Sequence, residues 1–308
     1  MRLLLTGSGG MLGSSIFDRV AESCDVLAPK RSELNLLDPI KVNEYFAKWN
    51  PSLVIHTAAR VGGIQANIDT GFDFLLENLK MDSNVFDAAR SSGTKNLIYI
   101  ASTCMYPKDR NSALKESDLL SGALEPTNEG YALSKIIGAK TVEIAAHQEN
   151  LAWRTLILSN LYGPRDHFEP SRSHLIAAII RKVDDAIEKS FPIISMWGTG
   201  QSRREFTFVE DVASFVAENL ESVSEWPFMM NLGSGVDHTV LEYYELVAKI
   251  MGYKGKIVSD PSKPEGMRRK LSDSSLSNKF GWNPRTSLSE GLEQTIAWYK
   301  KNKVEYTL

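Results

Sequence analysis

Two cysteines in 308 residues, Cys24 and Cys104, are too few for a disulfide scaffold or for a zinc site built on cysteine pairs. A cysteine that matters here matters as a thiol. Long apolar runs are also lacking. The N-terminal Leu3-Leu4-Leu5 stops after three residues, against about 7 to 15 for a signal-peptide core and about 20 for a membrane span. That absence predicts a cytoplasmic protein that does not enter a membrane. An excess of one charge is missing as well, with 35 Lys and Arg against 38 Asp and Glu and a net charge of -3. Such a balance offers no sequence-independent grip on nucleic acid, so an anionic ligand must be held by local groups. No internal repeat or low-complexity segment is present.

What is present is an alternation of short β-rich runs with amphipathic helical stretches. Arg2–Thr6, Val26–Ala28, Leu53–His56, Asn96–Ala101 and Thr155–Leu158 read as strands, nearly continuous in apolar residues as strands buried on both faces are. The order predicts an α/β, Rossmann-like doubly wound parallel sheet, with ligands beyond the carboxyl ends of its strands. After Gly163-Pro164 the regularity fades into Arg165-Asp166-His167-Phe168-Glu169-Pro170. Helices are expected at about Ser173–Lys189, Val209–Glu221, Thr239–Met251 and Leu288–Lys301. The expected division is a nucleotide-binding domain over 1–164, to which about 204–222 returns, and a smaller α/β substrate lobe over most of 165–308.

Thr6-Gly7-Ser8-Gly9-Gly10-Met11-Leu12-Gly13 follows the first strand and opens a helix. Gly7, Gly10 and Gly13 let the backbone turn and approach a pyrophosphate, while the helix amino-terminus offers unpaired N–H groups. Past the second strand, where an acidic residue usually receives the ribose 2′-hydroxyl of NAD, stand Lys30 and Arg31. Cations there favour a 2′-phosphate and hence NADP(H). A solvated basic turn is the alternative for Lys30; Arg31 has the planar fork that grips phosphate.

Tyr131 and Lys135 stand four residues apart on an expected helix and share a face. An ammonium beside a phenol favours the phenolate, which makes the tyrosine a proton donor and acceptor. Ser102, just past the fourth strand, is placed to meet them. The glycine trio, Ser102 and the Tyr131/Lys135 pair resemble the extended short-chain dehydrogenase/reductases. Ala59-Arg60-Val61-Gly62-Gly63-Ile64, Ser102-Thr103-Cys104-Met105-Tyr106-Pro107, Glu125-Pro126-Thr127-Asn128-Glu129, Asn160-Leu161-Tyr162-Gly163-Pro164 and Trp197-Gly198-Thr199-Gly200 resemble, within them, the GDP-L-fucose synthases.

The resemblance implies Tyr131 as proton donor to a carbonyl oxygen, Lys135 on the nicotinamide ribose and Ser102 on the substrate oxygen. It implies Cys104 and His174 as the acid–base pair that inverts carbons C3 and C5 of a GDP-linked keto-sugar. Cofactor contacts follow from Met11, Leu12, Asn35, Leu36 and Ala58, and substrate contacts from Asn160, Lys182, Trp197, Arg204 and Lys270. A homodimer built on Phe72–Ser91 and Tyr131–His147 is also implied. Bland roles stay open: Cys104 as a small buried hydrophobe, His174 as a helix cap, and Lys270 as part of a solvated charge run. His56, His147, His167, His238 and Cys24 read as structural. Leu158, Gly130 and Lys182 depart from the usual pattern; the first two are expected to loosen the backbone beside the sugar, and the third loses an arginine fork. Those departures leave room for another GDP-4-keto-6-deoxy sugar, such as a heptose, reduced with or without epimerisation. A non-catalytic NADP-binding protein is the reading from a different class.

Overall fold

The computed structural model describes residues 1–110, 112–169, 173–263 and 267–303. Its strands are β1 (Arg2–Thr6), β2 (Asp25–Leu27), β3 (Leu53–His56), β4 (Asn96–Ser102), β5 (Ala152–Leu158), β6 (Asn160–Tyr162), β7 (Ile193–Trp197), β8 (Arg203–Phe208), β9 (Met229–Leu232), β10 (Asp237–Thr239), β11 (Lys256–Asp260) and β12 (Arg269–Lys270). The helices are α1 (Met11–Val20), α2 (Pro39–Trp49), α3 (Ile64–Asp69), α4 (Gly71–Ser91), α5 (Glu129–Glu149), α6 (Leu175–Glu188), α7 (Val209–Glu218), α8 (Val240–Met251), α9 (Ser275–Asn278) and α10 (Leu288–Asn302). No helix among the described residues is long and apolar enough to cross a membrane.

The large sheet has the order β2-β1-β3-β4-β5-β9, and every pair in it is parallel. Its inner strands are buried on both faces, with Leu3, Leu4, Leu5, Val54, Ile55, Leu97 and Ile98 fully enclosed. One face is covered by α2, α4 and α5, the other by α1 and α7. The five expected strands are present, with ends shifted by up to three residues. The sixth, β9, was not expected: Met-Met-Asn-Leu has no β-branched or aromatic residue to mark it. Helix α7 joins α1 against the large sheet, whereas β8, just before it, belongs to a smaller sheet with β6, β10 and β12. A pair of parallel strands, β7 and β11, and the helices α6, α8 and α10 complete the lobe around that smaller sheet.

The two sheets meet where the site must lie. β5 ends at Leu158 and β6 begins at Asn160, so the chain passes from the carboxyl edge of the large sheet straight into the small one. Leu158 and Gly130 do not loosen this region as expected. Leu158 is buried in the ladder between Ser102 of β4 and Leu232 of β9. Gly130 is a close approach of helices: a Cβ there would lie 2.4 Å from the Gly71 carbonyl oxygen.

The glycine loop after β1 separates two demands. Gly7 has a φ of 73° and sits against Ala58, while a Cβ on Gly13 would lie 2.1 Å from the Gly7 carbonyl oxygen. Gly9 has nothing within 4 Å of that position. The Gly13→Ala variant is therefore expected to lose about 1–3 kcal/mol through overpacking, although alanine is the better helix former. Gly9→Ala is expected to stay within about 0.5 kcal/mol of the parent. Urea unfolding of both variants checks this; equal stabilities would contradict the packing account.

Candidate active site

The carboxyl end of β4 gathers the expected trio. Ser102 caps the short 3₁₀ turn Thr103–Met105, and its hydroxyl accepts the Cys104 N–H at 3.4 Å. Tyr131 and Lys135 lie one helical turn apart on α5, which packs against β4 and that turn. The Lys135 ammonium is buried: Nζ donates to the Ile100 carbonyl at 3.1 Å and lies 4.6 Å from the centre of the Tyr99 ring. It lies 6.0 Å from the centre of the Tyr131 ring. Cys104 is 5% exposed, so its thiol is enclosed beside Ser102 rather than open to solvent. His174 is the N-cap residue of α6 but makes no side-chain capping bond, so capping is not its task. The segment carrying it is held against the loop after β3, where a Cβ on Gly63 would meet the Ser173 carbonyl at 3.4 Å.

Burial sets the protonation states. It pushes the Tyr131 phenol well above its ordinary value, with nearby Cys104 and Asp82 adding to the effect. The expectation that Lys135 draws Tyr131 toward the phenolate is thus corrected: the surroundings of this half-buried residue favour the neutral phenol. Tyr131 stands ready as a donor. Burial likewise raises the Cys104 thiol, against the opposing charges of Lys270 and Lys135 and a hydrogen bond with Ser102. It lowers His174, with His167 adding in the same direction. Near neutral pH the site therefore presents a thiol that can donate and an imidazole that can accept. His167, read from sequence as structural, lies close enough to His174 to act on its charge.

Strand register sorts the cations of the small lobe. β12 pairs with β8 so that Arg269 stands opposite Arg203 and Lys270 opposite Arg204. Because side chains alternate, Arg203 and Arg269 share one face and both grip Asp237, Arg203 through Nε at 3.0 Å. Arg204 and Lys270 share the other face. Lys270 is half-buried there, and its charge interacts with Cys104, Arg204 and Glu125. The run 268–270 is therefore not simply a solvated face. Buried Glu205 is committed to the N–H and hydroxyl of Ser272 and to the Gly235 N–H.

Farther out, Lys182 Nζ lies 5.7 Å from the centre of the half-exposed Trp197 ring and donates to the Ser195 carbonyl at 3.3 Å. Lys263 lies 5.9 Å from the same ring. An aromatic plane flanked by two ammonium groups suits a base carrying a diphosphate. Asn160 uses its amide nitrogen to hold the Glu205 carbonyl at 3.0 Å, joining β6 to β8.

At the cofactor end, Gly10 caps α1 without a side chain and no acidic residue stands in the first turn. Met11 is half-buried, and Leu12 and Gly13 are buried under the loop. A Cβ on Gly9 would meet nothing within 4 Å and one on Gly10 only the Gly7 carbonyl at 3.4 Å, so this side of the loop is uncrowded. Ser8 ties the loop to the Ala28 carbonyl at the end of β2. Beyond it Arg31 is exposed, Asn35 accepts the Leu37 N–H, and buried Leu36 gives its carbonyl to Asn84.

The sequence reading missed Asp82, which lies buried near Lys135; its signal is a pair of polar residues, Asn78 and Asp82, at helical spacing on the buried face of α4. Asp166 was also missed. It is 3% exposed, one carboxylate oxygen has no partner, and burial pushes its carboxyl up to about 7, the His167 N–H opposing and Glu169 assisting. Unfolded, it ionises near pH ~3.9. Between the two values the native state holds the extra proton, so Asp166 makes stability fall as pH rises from about 4 to about 7. Asp166→Asn removes that fall. Relative to the parent, its stability is expected to rise by up to about 4 kcal/mol between pH ~4 and ~8 in urea titrations. A difference that does not change with pH would contradict this.

Residues 3–233 match the NAD dependent epimerase/dehydratase family. The chain is 41% identical to GDP-L-colitose synthase of Yersinia pseudotuberculosis over 305 residues, 98% of this chain and 99% of that one. It is 42% identical to GDP-L-fucose synthase of Azorhizobium caulinodans over 299 residues, 97% and 96% of the two chains. Among solved structures it is similar to a GDP-6-OMe-4-keto-L-xylo-heptose reductase from C. jejuni, with a TM-score of 0.88, 26% identity and 98% of each chain covered. It is similar also to a GDP-mannoheptose C4 reductase from Campylobacter jejuni with NADP bound, with a TM-score of 0.86, 28% identity and 97% and 98% covered. On the family match and these near full-length identities, the chain belongs to the NAD dependent epimerase/dehydratase family.

Proposed function

We propose that this enzyme inverts C3 and C5 of GDP-4-keto-6-deoxy-D-mannose and reduces C4 with NADPH, giving GDP-L-fucose. The observation that carries the reading is the enclosed Cys104 thiol, beside Ser102 and within the field of Lys135 and Lys270. A simple C4 reductase has no use for a second proton carrier there. Loss of a proton from C3 or C5 places charge on the C4 oxygen, where the Ser102 and Tyr131 hydroxyls stabilise the enolate. His174 and Cys104 act on opposite faces of the carbon, one removing the proton and the other returning one. NADPH supplies the hydride for C4. Tyr131, held neutral by burial, then gives its proton to the C4 oxygen, and the Lys135 charge stabilises the phenolate left behind.

In this reading Arg204 and Lys270, together on one face of the small sheet, balance the diphosphate, Trp197 with Lys182 offers the plane for guanine, and the exposed Arg31 favours NADPH over NADH. Phe72, Leu76, Ile137 and Ile144 are exposed on the paired helices α4 and α5, which supports a homodimer through that face. A second reading is C4 reduction of another GDP-4-keto sugar with one inversion or none. It is supported by the likeness to a colitose synthase and to heptose reductases.

Two variants separate the reactions. Tyr131→Phe is expected to cut NADPH oxidation by about 10² or more, the loss of a positioned acid. Cys104→Ala is expected to keep NADPH oxidation while releasing products that retain the D configuration, read by NMR. A Tyr131→Phe variant with near-parental oxidation, or a Cys104→Ala variant that still gives the L sugar, would overturn the assigned roles.

A further inference from the structure

Around Lys135 lies a set of buried polar groups that the proposed reaction does not use. Asp82, midway along α4, is 2% exposed, and both of its carboxylate oxygens are held. Oδ1 accepts from His56 Nε2 at 3.0 Å and Oδ2 from the Tyr99 hydroxyl. His56 Nδ1 in turn is hydrogen-bonded with the Thr6 hydroxyl at 2.6 Å, at the end of β1 just before the glycine loop. The Tyr99 ring that carries this hydroxyl is the ring facing the Lys135 ammonium at 4.6 Å. The backbone of α5 makes room for it: a Cβ on Gly138 would lie 2.3 Å from the Tyr99 hydroxyl. Buried ions are seldom the most stable choice for an apolar layer, so four polar side chains and a missing one in a single cluster call for a task.

We propose that Asp82, fixed in place by His56 and Tyr99, is the buried counter-ion that keeps Lys135 charged and positioned. The groups facing Lys135 are Asp82 from α4, Tyr99 from β4, Tyr131 from its own helix and Cys104 from the turn after β4. His56 of β3 reaches Asp82, and Lys80 lines the surface cavity outside it. Burial raises Tyr99, Tyr131 and Cys104, so near neutral pH none of them carries a negative charge. Asp82 is the exception in this group. Burial pushes its carboxyl up, but the Lys135 charge and the His56 and Tyr99 bonds outweigh this and hold it below its ordinary value. Burial in turn pulls Lys135 down, and Asp82 opposes that pull. Asp82 is a positioning residue: it acts through Lys135 and touches no reacting atom.

The consequence for catalysis rests on the reading above, but the charge itself is a property of the cofactor-free chain and is tested there. Lysine labelled with ¹³C at Cε is followed by NMR against pH, with the Lys135 signal identified by its loss in Lys135→Met. In Asp82→Asn the Lys135 midpoint is expected to fall by about one pH unit or more, the size of a nearby opposite charge. Asp82→Glu, which keeps the charge, is expected to stay within about half of that shift. An unchanged midpoint in Asp82→Asn overturns the proposal. Should Asp82→Asn fail to fold, Asp82→Asn/Lys135→Met decides, because it removes both charges. Recovery of the Tm of Lys135→Met supports the counter-ion; a double variant as unstable as Asp82→Asn overturns it.

Discussion

Everything at this site is arranged around one enclosed cation. The Lys135 ammonium is pinned between the Ile100 carbonyl and the Tyr99 ring at the carboxyl end of β4. An ion in that setting loses several kcal/mol of hydration unless carbonyls, rings and an opposite charge replace the water. Fixing Lys135 also fixes the helix that bears it. Tyr131, one turn earlier, is then delivered to the same strand end as Ser102, and the Ser102 hydroxyl in turn anchors the turn carrying Cys104. The glycines at 130 and 138 belong to this arrangement, since a side chain at either would push α5 away from Gly71 or Tyr99.

The smaller lobe solves a related problem with strand register. Arg203, Arg204, Arg269 and Lys270 would repel one another if all faced one way. Pairing β12 in register with β8 sends Arg203 and Arg269 to Asp237 and leaves Arg204 and Lys270 on the other face, where the Lys270 charge reaches Cys104. The carboxylate of Glu205 takes the Ser272 hydroxyl and N–H, so the segment carrying Lys270 is closed onto β8. A cluster of charge is thereby divided between a face held at Asp237 and the face opposite it.

Much of this was legible along the chain. Alternating apolar runs and helices foretold the parallel sheet, and the helical spacing of Tyr131 and Lys135 foretold their shared face. The first strand and Gly7-Gly10-Gly13 foretold the tight turn from β1 into α1, because each of these signals is local. What sequence could not give depends on distant partners. β9 is a strand only because β5 offers it an edge, as its own residues have weak strand preference. Lys270 and Arg269 look alike in sequence and differ by the face that register assigns. The direction of Tyr131 was misjudged because burial by surrounding atoms, not the nearby ammonium, decides it. Asp82 reads as one more polar residue on a helix until Tyr99 and His56 converge on it.

The claim that one site carries both proton exchange and hydride transfer is tested most directly by the position of deuterium in the product. The wild-type enzyme is given GDP-4-keto-6-deoxy-D-mannose and NADPH in deuterated water, and the product is examined by NMR. The account predicts a sugar reduced at C4, inverted at C3 and C5 and carrying solvent deuterium at both carbons. A C4-reduced product with no deuterium at either carbon would contradict it and leave a simple reductase.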